Sequence, residues 1–256
     1  MAPDTHPAFR PCIVVPFFNH AQAIAGTIGA LRQLGLPCWL VDDGSDATAT
    51  PVLDELARQE AGWLHLIRYQ PNQGKGEAVM RGCAAAHAQG HSHAVQVDAD
   101  GQHDIGDIPA LLALAAANPR ALVTGVPVYD ASVPRGRLYG RYITHFWVWL
   151  HTLSFEIRDS MCGFRVYPLS ESLELWRSER VGRRMDFDTD IMVRLWWRGT
   201  PVLSRPTRVT YPQDGVSHFN MLRDNLRISW MHTRLFCGML LRLPRLLRRR
   251  FSGKPA

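Results

Sequence analysis

Short apolar, β-branched runs alternate with helix-length segments through the first half of this chain, and the runs feed polar clusters. That rhythm constrains the fold more than any other feature. Residues 12–17 form a first strand that runs through Pro16 to Asn19, and 21–34 reads as a helix closed by Gly35 and Pro37. Residues 38–41 form a second strand that enters Asp42-Asp43-Gly44-Ser45, followed by a helix over 51–60 and a third strand over 64–68. The turn 72–76 opens a helix over 77–88, and a fourth strand over 94–97 ends in Asp98-Ala99-Asp100-Gly101. A helix over 109–117 and a strand over 121–126 follow. Strands separated by helices of this length need crossovers, which predicts an α/β fold with a mostly parallel central sheet and flanking helices. Ligands of such sheets bind outside the carboxyl ends of the strands, where the clusters at Asn19, Asp42/Asp43, Asn72/Lys75 and Asp98/Asp100 fall.

The second half is less regular. Residues 138–153 form an aromatic-rich helix, 158–168 a loop and short strand, and 184–198 an amphipathic helix with an acidic start. Residues 201–211 read as a strand with Pro206 at an edge or bulge. With neither repeat nor linker, the reading is one domain over 10–219 and a basic, amphipathic helical appendage over 220–256.

Charge sharpens that division. The net charge is +6, but residues 221–256 hold nine Lys/Arg against one acid, a local +8, which leaves −2 for the first 220 residues. A mildly acidic body argues against nucleic acid as a partner. The tail interleaves Leu, Phe and Trp with arginine, the character of a helix lying on an anionic membrane surface. Five scattered cysteines, never in a C-x-x-C pair, suit a reducing cytosol better than a disulfide framework or zinc. The N-terminus lacks the pattern of a signal peptide, and no stretch of about 18 uncharged apolar residues predicts a membrane span.

Several groups can carry chemistry. Asp98 and Asp100, two apart at a strand end, would project together, and like charges that close call for a proton or a cation. A hard divalent ion takes oxygen ligands, and Gln102 can add a neutral one. Asp42 and Asp43 can accept hydrogen bonds from a ribose or nucleobase; a plain Asp-Gly turn is the alternative. Lys75, one of two lysines beside 27 arginines, opens a helix where a phosphate can dock. Arg165 can grip phosphate bidentately or pair structurally with Asp159. Asp186, Asp188 and Asp190 precede a helix; one can stabilise its dipole and another serve as a general base. Gly215-Val216-Ser217-His218 is a polar loop able to meet phosphate. His87, His91 and His93 read as a solvated helix end rather than a metal site.

Taken in order, Pro16-Phe17-Phe18-Asn19, Val41-Asp42-Asp43-Gly44-Ser45, Asn72-Gln73-Gly74-Lys75-Gly76 and Asp98-Ala99-Asp100-Gly101-Gln102-His103 resemble the family-2 glycosyltransferases of GT-A fold. Cys162-Gly163-Phe164-Arg165 brings the chain nearest to the dolichol/polyprenyl-phosphate mannosyltransferase branch. The resemblance implies a UDP- or GDP-sugar donor, Mg²⁺ or Mn²⁺, and an inverting transfer to a lipid-linked or hydrophobic acceptor. It implies a nucleotide-sugar site at Pro16, Asn19, Asp42, Asp43, Lys75, Asp98, Arg165, Ser217 and His218. It also implies a metal on Asp98, Asp100 and Gln102, and a base at Asp188 with Asp190 in reserve. Phe187 stands where the family's E-D motif has Glu, and His218 where relatives often carry lysine. The paired transmembrane helices of many polyprenyl-phosphate transferases are missing, which weighs against a polyprenyl phosphate as acceptor. Arg184-Met185-Asp186-Phe187-Asp188-Thr189-Asp190 and Gly215-Val216-Ser217-His218-Phe219 also resemble the glycosyltransferases found with aryl-polyene pigment synthesis, which implies an aryl-polyene-type lipid as the other acceptor. The expected location is the cytoplasmic face of a membrane, held peripherally. A sugar-nucleotide pyrophosphorylase or a non-catalytic membrane-associated relative are the competing readings; the first lacks its glycine-arginine-rich loop here.

Overall fold

The computed structural model describes residues 8–128, 135–209 and 220–252. Seven strands form one sheet in the order β3-β2-β1-β4-β6-β5-β7: β1 (Pro11–Phe17), β2 (Cys38–Asp42), β3 (Leu64–Arg68), β4 (His93–Gln96), β5 (Leu122–Val128), β6 (Arg165–Pro168) and β7 (Val202–Arg208). All pairings are parallel except those of β6, which runs antiparallel to β4 and β5. Pro206 lies on β7, the last strand of the order, where a missing N–H leaves no ladder bond unmade on the outer side.

Strand pleating divides the core into two layers. Cys12 and Val14 of β1 and Trp39 and Val41 of β2 face one cluster, while Ile13, Val15, Phe17, Cys38 and Leu40 face the other. On the second face lie α1 (Ala21–Arg32), α2 (Thr50–Gln59) and α4 (Ile108–Ala117), burying Ile24, Ile28, Leu53 and Leu111. The first face carries α3 (Lys75–Ala88), α5 (Arg135–Thr152), α6 (Leu169–Ser178), α7 (Phe187–Arg198) and α8 (Met221–Ser252). Four cysteines are buried in these layers, and burial pushes the Cys83 and Cys162 thiols up to about 12, so they serve as small core residues.

Within the C-terminal segment, α8 is packed onto the body. Met231, Leu235, Met239 and Leu246 of α8 are buried in the first core layer. Arg242 and Arg249 stack on Trp197 and Trp196 of α7, with guanidinium carbons 4.7 and 4.2 Å from the ring centroids. The other face of α8 stays outside, with Leu222, Leu226, Trp230, Leu241 and Phe251 each more than 60% exposed. Among the described residues no helix is long and apolar enough to cross a membrane.

His91 and His93 also depart from the solvated helix end expected of them. Both are buried: His91 Nδ1 meets the Arg10 carbonyl oxygen at 3.2 Å, and His93 Nε2 meets that of Pro119 at 2.9 Å. Their rings pack on Trp39 and Phe9, which makes them part of the sheet's N-terminal edge.

Candidate active site

Chain order reverses at β1, which has β2 on one side and β4 on the other, so the crevice for a ligand opens beyond their carboxyl ends. Pro16 lies two residues past the last β1–β4 partner pair, Val14 with Gln96, where β1 outruns its neighbour. Asn19 then ties two strand ends together. Its backbone N–H donates to Ser45 Oγ at 3.1 Å, and its Oδ1 accepts from the Asp46 N–H at 2.9 Å.

Asp42 ends β2 and Asp43 follows it, and both are buried. Asp42 accepts from the Ser45 N–H at 3.0 Å and from Arg68 Nε at 2.9 Å. Asp43 grips the next loop: it accepts from the Gln73 and Gly74 N–H groups, each at 2.7 Å, and from Asn72 Nδ2 at 2.9 Å. Gly74 carries φ +109, a conformation that favours glycine, and this aims its N–H back at Asp43. Arg184 closes the loop from the far side, donating to Asn72 Oδ1 at 2.6 Å and to the Asn72 carbonyl at 3.0 Å. The two acids therefore tie together the loops beyond β2 and β3.

β4 ends at Gln96, so Asp98 and Asp100 stand in the turn beyond it rather than on strand pleats. The turn, closed by the Gln102 N–H donating to Asp100 Oδ1 at 3.1 Å, brings the carboxylates together. Asp98 Oδ2 accepts from Lys75 Nζ at 2.9 Å, Asp98 Oδ1 accepts from Gln96 Nε2 at 3.0 Å, and His103 Nε2 lies 3.5 Å from Oδ2. Burial alone would raise the Asp98 carboxyl, but the Lys75 ammonium and the His103 ring outweigh it and hold it well below the usual carboxylate range. Asp100 goes the other way: burial, then the negative charge of Asp98, push its carboxyl up. Two acids share a site that holds too little positive charge for both.

The same ammonium reaches a third acid. Lys75 Nζ lies 3.2 Å from Asp188 Oδ2, and Asp188 Oδ1 is buried without a hydrogen bond, 3.7 Å from an Arg165 nitrogen. Arg165 itself is fully buried. Its Nε donates to the Cys162 carbonyl at 2.6 Å, and its two terminal nitrogens donate to the carbonyls of Asp188 and Ser160 at 2.6 and 2.5 Å. Asp159, the alternative partner, is held instead by Arg141 Nε at 2.5 Å and by the N–H groups of Met161 and Cys162, each at 2.8 Å.

Asp190 stands apart from this group. It is fully buried and accepts from Arg194 Nε at 2.5 Å, from the Gly182 N–H at 2.8 Å and from Arg234 at 3.2 Å. Ser217 and His218 lie outside the described residues.

Sequence reasoning left out Gln96, His103 and Gly163 as site residues. A Cβ on Gly163 would lie 2.6 Å from Lys75 Nζ and 2.7 Å from Asp98 Oδ2, so only glycine lets the β6 loop close over the ion pair. The signal was present in the Cys162-Gly163-Phe164-Arg165 string, whose glycine reads as a turn until its neighbours are known. Among the described residues no group of three or more His, Cys, Asp or Glu side chains forms a metal cage. Asp98 and Asp100 carry the kind of oxygen donor a hard ion takes, and both Asp98 oxygens already accept, from Lys75 and Gln96.

The fold is a three-layer α/β/α sandwich with acids just past the strand ends and a reversal of chain order at β1, where ligands of open α/β sheets bind. Solved structures make the fold specific. It is similar to glucosyl-3-phosphoglycerate synthase of Mycobacterium tuberculosis, solved with Mn²⁺, UDP-glucose and phosphoglyceric acid (TM-score 0.63, 17% identity, 91% of this chain and 79% of that one). It is also similar to a mannosyltransferase of Pyrobaculum calidifontis solved with GDP-mannose and Mn²⁺ (TM-score 0.57, 14% identity, 98% and 78%). The fold is GT-A. The model of the family described as Glycosyl transferase family 2 matches residues 12–171, and the chain belongs to that family: it is a glycosyltransferase.

Three relatives in sequence are similar at about 25% identity. Polyprenol monophosphomannose synthase of Mycolicibacterium smegmatis is 25% identical over 86% of this chain and 84% of its own length. Dolichyl-phosphate beta-glucosyltransferase of Dictyostelium discoideum is 26% identical over 60% of this chain, which spans 48% of that enzyme. An uncharacterized protein of Methanocaldococcus jannaschii is 26% identical over 80% of this chain and 90% of its own.

Proposed function

We propose that the chain is a metal-dependent inverting glycosyltransferase that moves a sugar from a UDP- or GDP-sugar to a lipid-linked or hydrophobic acceptor at a membrane surface. The observation that carries this reading is the meeting of Asp98, Asp188 and Lys75 beside Asp100 at the sheet's carboxyl edge. Relatives named for dolichyl-phosphate and polyprenol substrates support the acceptor class, and neighbours solved with Mn²⁺ support the cofactor.

The residues present fit a divalent ion. Asp100 has one oxygen engaged by the Gln102 N–H, and its raised carboxyl reports a shortage of positive charge that an ion would relieve. Mg²⁺ or Mn²⁺ held by Asp100 with Asp98 and Gln102 would take up charge on the departing diphosphate. The rest falls to the chain. Asp42 and Asp43 keep the loops around the base and ribose in place, together with Pro16 and Asn19. Lys75 adds a fixed positive charge beside the diphosphate and holds Asp98 ionised. Arg165, with its donors on three carbonyls, shapes the turn that presents Asp188 rather than gripping phosphate from solvent. Asp188, whose Oδ1 has no hydrogen bond and only the Arg165 ion pair at 3.7 Å, is the base that takes the proton of an acceptor hydroxyl; an acceptor that is already a phosphate anion needs no such transfer. Ser217 and His218 would meet the diphosphate or an acceptor phosphate. The exposed apolar face of α8 would lie in the membrane interface.

Thermal shift tests the donor half. UDP or GDP at saturating concentration raises Tm in the presence of Mn²⁺, and the rise vanishes in Asp100→Asn. A nucleotide effect that is the same with and without metal, and unaltered by that substitution, counts against the reading.

A further inference from the structure

A cleft of about 580 Å³ opens between α8 and the end of α6 with the first part of the connection to α7, lined by residues 176–183. Its walls carry four arginines, Arg177, Arg180, Arg183 and Arg234, between the indoles of Trp176 and Trp230. The one lining carboxylate, Glu179, is already taken by Arg194 at 2.7 Å and Arg198 at 3.1 Å, both outside the cleft. Arg234 is spent on Asp190, and Arg183 on Glu77 at 3.3 Å. Arg177 and Arg180 are exposed and have no carboxylate within 4.0 Å among the described residues. A concave site with two uncompensated guanidiniums and aromatic walls calls for an anion carrying apolar matter.

Trp230 says which anion. It lines the cleft, yet it also belongs to the outward stripe of α8 with Leu222 and Leu226, one turn apart each, and is 63% exposed. The basic pocket and the apolar stripe thus meet at one indole, the side chain that favours the headgroup level of a bilayer. A soluble phosphate would use the arginines but leave the leucines and the indole in water. We infer that this cleft binds the phosphate headgroup of an anionic phospholipid, seating α8 on the bilayer through Arg177 and Arg180. The inference rests on the membrane-surface reading given above and locates its polar anchor. The cleft is coupled to the nucleotide side of the molecule: the Arg183 carbonyl accepts from the Gly76 N–H at 2.8 Å, and Arg184 holds Asn72.

Co-sedimentation of the full chain with vesicles decides the matter. Neutral phosphatidylcholine vesicles are compared with vesicles in which a third of the lipid is phosphatidylglycerol. Arg177→Ala/Arg180→Ala is expected to weaken partition onto the anionic vesicles by roughly thirty-fold, at about 1 kcal/mol per basic group. Partition onto neutral vesicles should not change. Arg245→Ala/Arg248→Ala, on the exposed far part of α8, should cost several-fold less. Equal losses in the two double variants would mean diffuse attraction and would overturn the cleft. So would full competition by millimolar glycerol phosphate, which would make the site one for a soluble phosphate. Leu222→Ser/Leu226→Ser serves as the control for the membrane reading itself. If it lowers partition while the cleft variant does not, the cleft inference fails alone; if neither matters, both fail.

Discussion

Lys75 Nζ stands 3.2 Å from Asp188 Oδ2, so a single ammonium at the start of α3 joins the first turn of α7 to Asp98 beyond β4, 2.9 Å away on its other side. Two halves of the chain that share no sequence pattern meet at this atom. Its loss would leave two carboxylates facing each other across a partly buried gap.

Lys75→Met should therefore abolish sugar transfer and lower stability by up to about 3 kcal/mol at neutral pH. Burial opposes the charge on Lys75, but Asp188 and Asp98 outweigh it and raise its pKa. Its contribution is complete below the unfolded value of about 10.5, hence across the neutral range. Asp98 has a depressed folded pKa, so its share is present above about 3.9 and lost as pH falls. Denaturant melts should show the gap between variant and parent narrowing below about pH 4.

Asp188→Asn and Asp190→Asn should separate chemistry from architecture. The first abolishes transfer and weakens the ion pairs of Asp188 with Lys75 and Arg165, while the Arg165 bond to the Asp188 backbone carbonyl stays, so the fold survives with a modest drop in Tm. The second removes one of the two acids paired with Arg194, Glu179 remaining, and the nearer acid of Arg234, from a fully buried position, and should cost about 3 kcal/mol, read as a drop in Tm.

Gly163→Ala should reduce kcat/KM sharply at a stability cost of about 1–3 kcal/mol, since its methyl would displace Lys75 or Asp98. Steady-state kinetics beside melts would show activity lost well before the fold.

A pH effect should arise at the seam between α5 and α8. His151 Nε2 meets His232 Nδ1 at 3.1 Å, both rings are buried, and burial pushes them down to about 3 and about 4. Unfolded histidine titrates near 6.5, so the unfolded chain binds more protons between pH 4 and 6.5, and stability is lost as pH falls through that window. Each ring contributes a slope of about 1.4 kcal/mol per pH unit there. His91 and His93 are lowered too and act in the same direction, so the test is a comparison of slopes. His232→Phe should flatten the parent's curve between pH 4.5 and 6.5.

Much of this was legible in the residues. The strand runs and their polar ends were readable because a buried parallel strand shows as an apolar run and a ligand site shows as acids and glycine just past it. The direction of β6 was not, since pairing against β4 and β5 is fixed by partners distant in sequence. α6 escaped notice because Pro168 precedes it and its buried Leu169, Leu173 and Leu175 are separated by charged residues. The tail's arginines read as a solvated or interfacial face, but Arg242 and Arg249 lie on tryptophans of α7 while Met231, Leu235 and Met239 fill the core at helical spacing. Arg165 had two readings of equal merit, and neither composition nor spacing tells a phosphate clamp from a guanidinium folded onto carbonyls.

The central claim is metal-assisted transfer from a nucleotide sugar through the acids beyond β4. Purified protein incubated with Mn²⁺ or Mg²⁺ and a panel of UDP- and GDP-sugars, with and without a lipid extract, tests it most directly. The account predicts free nucleoside diphosphate and a glycosylated lipid from one donor, both abolished by chelator and by Asp100→Asn, which still melts cooperatively. Full activity in Asp100→Asn, or in chelator, would contradict it.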